Sequence, residues 1–484
     1  MREVGIIMKK RILSSLIALI LLFSVVMNTN VKTAVAAEDN TQNAVSPYSS
    51  WAMNDLVVGD TYGIYPKTWY SYDMTAPISR SQFRILISEV RKKILKTNDV
   101  TKNVDNIYRL DNNMSVKTIL NNFYTMLSGF EFSEEIGMKD KTAVKFMTDN
   151  GIFTGTNGEL ALSDTCSIEQ ACIFATRIVT SVYNKLDAAS KGFLWEAKKG
   201  ENTVYMLGSI HIADTSIYPF NKKILDAYQS SDSLAVELNA YDLTGAYAMM
   251  ALGIYSDGST LKDHVSAKTY QETIDLAAKY GYAESDIAMC KPWYVYTMFA
   301  ALASTDSGDV EEAQEAAGLG IDLNFTVNAL LSGKPILEVE GYEYQGQVLD
   351  SFSDDLEEFL LSSTIESIND ITAGTSEEGA ENLDMALKAW HDGDVETFMS
   401  LMSVDEEYPE IFNADATAIK ALSDEFTLKL ITQRDARMAN YIDKLLSAEG
   451  SSTTFVIVGS AHYISDHSVL DILKEKGYEI TQIK

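Results

Sequence analysis

Two rhythms of apolar and polar residues divide the chain. From about residue 48 to 187, apolar positions recur at helical spacing. After Lys191 short apolar, β-rich runs take over: Val204-Tyr205-Met206-Leu207, Leu234-Ala235-Val236, Pro335-Ile336-Leu337 and Phe455-Val456-Ile457-Val458, with Tyr478-Glu479-Ile480 near the end. Between them lie amphipathic helical stretches, for example 270–279, 383–390 and 426–446. Strands alternating with helices predict an α/β domain, a mostly parallel sheet flanked by helices. Regions of about 245–330 and 350–430 read as helical insertions in it. A smaller all-α domain is predicted before it, so the expected layout is helical over 48–187 and α/β over 191–484.

The helical part contains a weak repeat. One copy runs from Trp51-Ala52-Met53 through Gly63-Ile64-Tyr65-Pro66 to Ile78-Ser79-Arg80-Ser81-Gln82. Another runs from Ala143-Val144-Lys145 through Gly151-Ile152-Phe153 to Ser167-Ile168-Glu169-Gln170. Each reads as helix, Gly-Ile turn, loop and a helix entered at a serine cap. Met114-Ser115-Val116-Lys117 opens what reads as the remnant of a third unit. The pattern resembles degenerate S-layer homology repeats, which implies a cell-wall polymer as partner. Arg80 stands in the first copy where Ile168 stands in the later one, so any wall binding is expected to run through Arg80. A helical domain that only packs is the other reading.

The first 37 residues follow neither rhythm. Lys9, Lys10 and Arg11 precede an apolar run from Ile12 to Met27 broken only by serines, and Ala34-Val35-Ala36 offers a small-x-small cleavage pattern. This predicts a signal peptide over 1–37 and a polar linker over 38–47. The run is short for a retained anchor, and no later segment is apolar enough to span a bilayer. A secreted or cell-wall-associated protein is therefore expected.

The net charge is −30. Residues 1–37 hold five Lys/Arg and one Glu, which leaves 34 basic and 68 acidic residues beyond them. Such a field repels nucleic acid and anionic membranes and is compatible with cationic substrates or divalent metals. Cys166, Cys172 and Cys290 are an odd set without a C-x-x-C pair, and buried free thiols are expected.

The chain has five histidines, and two of them sit in the same local sentence of strand, then Gly-Ser-x-His. The first is Gly208-Ser209-Ile210-His211 and the second Gly459-Ser460-Ala461-His462, about 250 residues later. A glycine lets the chain turn sharply at the strand end, which sets the His at the carboxyl edge of the sheet, where α/β folds bind ligands. Glu237 ends the Leu234–Val236 run and Glu340 follows the Pro335–Val339 run at the same edge. Two imidazoles and one or two carboxylates suit a catalytic divalent metal with an open position. A carboxylate that is not a ligand serves there as general base. His264, His391 and His467 read as incidental.

These residues resemble the TraB/GumN (Tiki-like) family, itself related to the erythromycin-esterase/ChaN group. The resemblance runs over about 190–484. It is carried in order by Phe193-Leu194-Trp195-Glu196, the first Gly-Ser-x-His, Tyr218-Pro219 and Ser231–Glu237. Lys291-Pro292-Trp293, Gly320-Ile321-Asp322, Lys334-Pro335-Ile336 with Glu340 and Gln345, and Trp390 with Gly393-Asp394 follow. Arg434-Asp435 and the second Gly-Ser-x-His complete it. The resemblance implies a metal-dependent hydrolase, a peptidase above all, acting on a peptide or protein through metal-activated water. His211, His462 and Glu237 are then the expected ligands of Mn, Co or Zn, with Glu237 or Glu340 managing protons and Arg434 binding a carboxylate or oxyanion. Asp435 stands where the family usually has Asn, and pairing with Arg434 is its expected effect. Two other readings stay open: a non-catalytic protein that sequesters a peptide, haem or metal at the envelope, and a wall-tethered scaffold.

Overall fold

A computed structural model describes residues 46–97, 114–155, 159–305, 307–375, 378–402 and 416–484. The expected leader and most of the linker lie outside the described residues. Contacts divide the chain into two units. One comprises residues 37–190 with 215–222, and the other residues 191–214 with 223–484.

In the first unit the repeat seen in the sequence is a repeat of structure. The helices Met53–Thr61 and Ala143–Asp149 are each followed by a glycine in the left-handed region, Gly63 at φ 65° and Gly151 at φ 65°, then a buried isoleucine. Glycine takes that conformation without a Cβ clash, so the chain can reverse there. The helices Arg80–Leu95 and Ile168–Lys185 start at Ser79 and Ser167 with reciprocal capping boxes to Gln82 and Gln170. Ser115 caps Val116–Leu127 through Thr118 N–H, and residues 98–113 before it lie outside the described residues. The cap segments are tied together by bridges between Pro77 and Ser167 and between Ser115 and Thr165.

The second unit is built on a six-stranded sheet: β1 (Phe193–Lys199), β2 (Asn202–Ser209), β3 (Ser233–Val236), β4 (Ile336–Glu338), β5 (Thr453–Gly459) and β6 (Ile480–Gln482), in the order β4-β3-β5-β2-β1-β6. The pairs β4/β3, β3/β5 and β5/β2 are parallel, and β2/β1 and β1/β6 antiparallel. This is the mixed α/β architecture with a mostly parallel sheet that the alternation predicts. β5 lies between two neighbours, and Phe455 to Val458 are all fully buried, as a continuous apolar run in a parallel sheet requires. Helices between β3 and β4 and between β4 and β5 form the insertions.

β1 is an addition to the predicted strands. It forms a hairpin with β2 through Gly200, which sits at φ 60°. Its charged end, Lys198-Lys199, hid the run, while Lys199-Gly200-Glu201-Asn202 is the turn signal that marks it. The 426–446 stretch is two helices joined by a π turn at Leu428–Thr432. All three cysteines are buried free thiols. No helix among the described residues is long and apolar enough to cross a membrane.

Candidate functional site

Register puts the two Gly-Ser-x-His turns side by side. β2 and β5 are parallel neighbours in which Gly208 faces Val458 and Ser209 faces Gly459. Ser460 closes the seam, its backbone N–H and hydroxyl both donating to Ser209 O at 2.9 and 3.0 Å. A Cβ on Gly208 would lie 2.8 Å from Ser460 Oγ and 3.1 Å from its Cα, so this close approach requires glycine. Trp390 covers the other side of the turn, its indole N–H donating to Gly208 O at 2.8 Å.

β3 brings the first acid. Glu237 follows its last residue, next to β5, and Gly459 N–H donates to Glu237 Oε1 at 2.6 Å. β4 brings the second, since Glu340 N–H donates to Glu237 O at 3.0 Å. The basic group comes from the helix Gln433–Leu446, whose spacing of Arg434, Met438, Ile442 and Leu446 buries one face. Arg434 donates through Nη2 to Glu237 Oε2 at 2.6 Å and to Glu340 Oε2 at 2.7 Å, and through Nε to both Glu340 oxygens. Gln345 donates to both carboxylates as well.

His211 and His462 both point into this edge. His211 Nε2 lies 3.9 Å from Glu237 Oε1. Its Nδ1 lies 3.1 Å from Asp322 Oδ1, though off a hydrogen-bonding direction, so the contact is one of charge. His462 Nδ1 and Asp435 Oδ1 are 2.6 Å apart, a short hydrogen bond. All these side chains are buried, His462 completely.

Burial alone would raise the pKa of Glu237, but Arg434, His211, His462 and Gly459 N–H outweigh it and hold the carboxyl well below the usual range. Burial favours a neutral His211, and the Asp322 and Glu237 carboxylates overcome that and raise its pKa. Arg434 is likewise held in its charged form against burial by Glu340 and Glu237. Asp435 is raised by burial, with the His462 contact opposing.

The structure thus brings His211, Glu237, Glu340, Arg434 and His462 to one edge. It also adds three residues whose contacts there are not legible in the sequence. Gln345 bridges the two acids. Asp322, in the Gly-Ile-Asp triplet, faces His211. Asp435 turns to His462 and not to Arg434, which is already engaged by two carboxylates. Only the position of Asp435 beside Arg434 hinted at a role, and it suggested the wrong partner.

Among the described residues, no three His, Cys, Asp or Glu side chains already stand as a metal cage. The donor chemistry nevertheless fits a divalent metal. Nε2 of His211 and Nε2 of His462 are buried nitrogens without a hydrogen-bond partner, and both rings act on one ionised carboxylate, Glu237. Buried polar atoms left unpaired are costly and rare, and carboxylate-backed imidazoles are the usual dress of metal-binding histidine.

The model of the TraB/PrgY/gumN family matches residues 193–482. The chain is similar to Metalloprotease TIKI1 of Danio rerio, 25% identical over 321 residues that cover 60% of this chain and 62% of that protein. It is similar to Metalloprotease TIKI2 of Danio rerio at 22% identity, covering 60% of each chain. It is also similar to Metalloprotease TIKI2 of Xenopus tropicalis at 24%, covering 60% of this chain and 59% of that protein. The chain therefore spans about three fifths of the length of these curated relatives. No solved structure matches it at a significant level.

Proposed function

The chain belongs to the TraB/PrgY/gumN family, and we propose that it is a metal-dependent hydrolase acting on a peptide or protein outside the cytoplasm. The observation that supports this most is the pair of buried, unpartnered Nε2 atoms on His211 and His462 beside the ionised Glu237. Those three residues would hold a divalent metal such as Mn, Co or Zn. When bound, the metal supplies a Lewis acid toward the scissile carbonyl and toward water.

The chain's own residues define the rest. Glu237 Oε2 is held by Arg434 and Gln345 and Oε1 by the Gly459 N–H, with Oε1 the oxygen nearer His211, so a proton handled by Glu237 passes on the His211 side. Glu340 is bound by Arg434 through both oxygens, which makes it the counter-charge that holds the guanidinium in place. Arg434, shared between two acids, keeps Glu237 ionised and aimed. Sealing by Trp390 and the seam at Ser460 excludes water from the back of the site, where charge interactions are then strong.

Metal analysis and calorimetric titration with Mn, Co and Zn test this, alongside hydrolysis of a peptide library by the loaded protein. Metal uptake lost in His211→Ala and His462→Ala, together with turnover by the wild type, is the expected result. The complete burial of His462 favours one rival, a protein that retains its ligand. Stoichiometric retention of metal or peptide without turnover would establish that reading. Secretion and wall attachment are part of the same proposal. The leader pattern supports the first, and the Ser-capped repeats with exposed Arg80 support the second. A wall pull-down in which Arg80→Ala binds like wild type would remove the attachment.

A further inference from the structure

The two histidines share more than a sequence motif. Each ring is backed on Nδ1 by an aspartate from the start of a helix. Asp322 is the second residue of the helix Ile321–Ser332, and Asp435 the third of Gln433–Leu446. The aspartates come from different insertions and have no sequence motif in common. An ionised carboxylate only accepts, so a neutral ring facing one carries its proton on Nδ1 and its lone pair on Nε2. Nε2 is buried without a partner on both rings; on His462 it is the only such ring nitrogen, while on His211 the off-line Asp322 leaves Nδ1 without a hydrogen bond as well.

We propose that Asp322 and Asp435 are positioning residues that hold His211 and His462 as Nδ1–H tautomers, so that each ring presents its Nε2 lone pair to the site shared with Glu237. This rests on the metal-hydrolase reading for its purpose, but not for its test. The two supports are unequal. Asp435 makes a hydrogen bond of 2.6 Å, whereas Asp322 stands 3.1 Å away and off line. His462 is therefore the more firmly set ring, and Asp435 matters more than Asp322.

The full chain labelled with 15N-histidine reads this directly. Long-range proton–nitrogen correlation spectra are recorded without metal, at a pH where the rings are neutral. The wild type is expected to show a protonated Nδ1 and a bare Nε2 on both rings. Asp435→Ala should move His462 toward Nε2–H, while Asp435→Asn, whose amide oxygen still accepts, keeps Nδ1–H. Calorimetry with Mn2+ adds a second readout. Asp435→Ala should weaken binding by about 10- to 100-fold, Asp322→Ala by less, and Asp435→Asn should recover most of the loss. An Nε2–H ring at either position in the wild type overturns the inference. So does a His462 tautomer unchanged in Asp435→Ala. If Asp435→Ala does not fold, the wild-type spectrum and Asp435→Asn decide it alone. Nδ1–H on both rings in a chain that takes up no divalent cation upholds the positioning and removes the metallohydrolase reading instead.

Discussion

Arg434 Nη2 lies 2.6 Å from Glu237 Oε2, and the two side chains are almost wholly withdrawn from water, at 1% and 4% exposure. Glu340 holds the same nitrogen from its other side at 2.7 Å. One cation thus serves two buried carboxylates, and its loss would leave them facing each other uncompensated. Arg434→Met should destabilise the α/β unit by about 3–5 kcal/mol, the usual cost of breaking a buried ion pair from one side. Glu340→Gln in the same chain should restore part of it. Arg434→Lys should fall between, because a point ammonium cannot fork across two carboxylates. Urea unfolding of the four proteins measures this, and a loss under about 1 kcal/mol for Arg434→Met would mean that water reaches the network.

If His211 and His462 act as one site, their losses are not additive. Either His→Ala change should abolish nearly all metal-dependent hydrolysis, and the double variant should cost little more. Rates multiplying independently in the double variant would show two separate sites. The register of β2 against β5, with Ser209 opposite Gly459, is the structural reason to expect one.

That register is also why this much of the site was legible in the sequence. Parallel strands bring their carboxyl ends to one edge, so a repeated strand-Gly-Ser-x-His sentence and two strand-terminal acids already imply a shared location. The helical contributions were harder to read. Asp322 and Asp435 face histidines only because two long insertions fold back onto the sheet edge, and nothing local to either residue encodes that return. The error over Asp435 shows the limit. Sequence adjacency suggested Arg434, yet neighbours on a helix project about 100° apart, and the two side chains reach different partners. β1 escaped for a different reason, since its lysine-rich end masks the alternation that its hairpin turn would have announced.

Away from the site, Glu357 is buried beside the N-terminus of the helix Pro292–Ala300. Burial, helped by Asp350 and Asp354 and opposed by the Trp293 N–H and Lys291, pushes its pKa up to about 8. The folded value lies above the unfolded one, so Glu357 contributes fully to stability below its ordinary carboxylate range. That contribution disappears as pH rises through about 8. Glu357→Gln should match the wild type near pH 5 and exceed it by about 2 kcal/mol near pH 9, a figure set below the full linkage value for residual solvent. Urea unfolding at both pH values checks it. An equal gap at the two would assign the effect to packing and not to charge.

Gly320 gives the sharpest structural test of how His211 is placed. Its φ is −57°, an ordinary value, so conformational freedom is not why glycine stands there. Space is: a Cβ would lie 2.2 Å from His211 O and 2.8 Å from His211 C, both backbone atoms that cannot rotate aside. The next residue ties the same two segments together, Ile321 N–H donating to Ile210 O at 3.1 Å. Gly320→Ala must therefore push the start of the helix Ile321–Ser332 away from the end of β2, and Asp322 away from the His211 ring. Overpacking of this kind costs about 1–3 kcal/mol, and the displaced ring should bind Mn2+ more weakly, by about tenfold on the scale of lost outer-shell support. Gly318→Ala is the control. No atom lies within 4 Å of its added methyl, and alanine in a helix should hold stability or raise it by up to about 1 kcal/mol. Thermal melts and Mn2+ calorimetry on both variants separate the cases. If Gly320→Ala melted and bound metal like Gly318→Ala, the close approach to His211 would have no part in building the site.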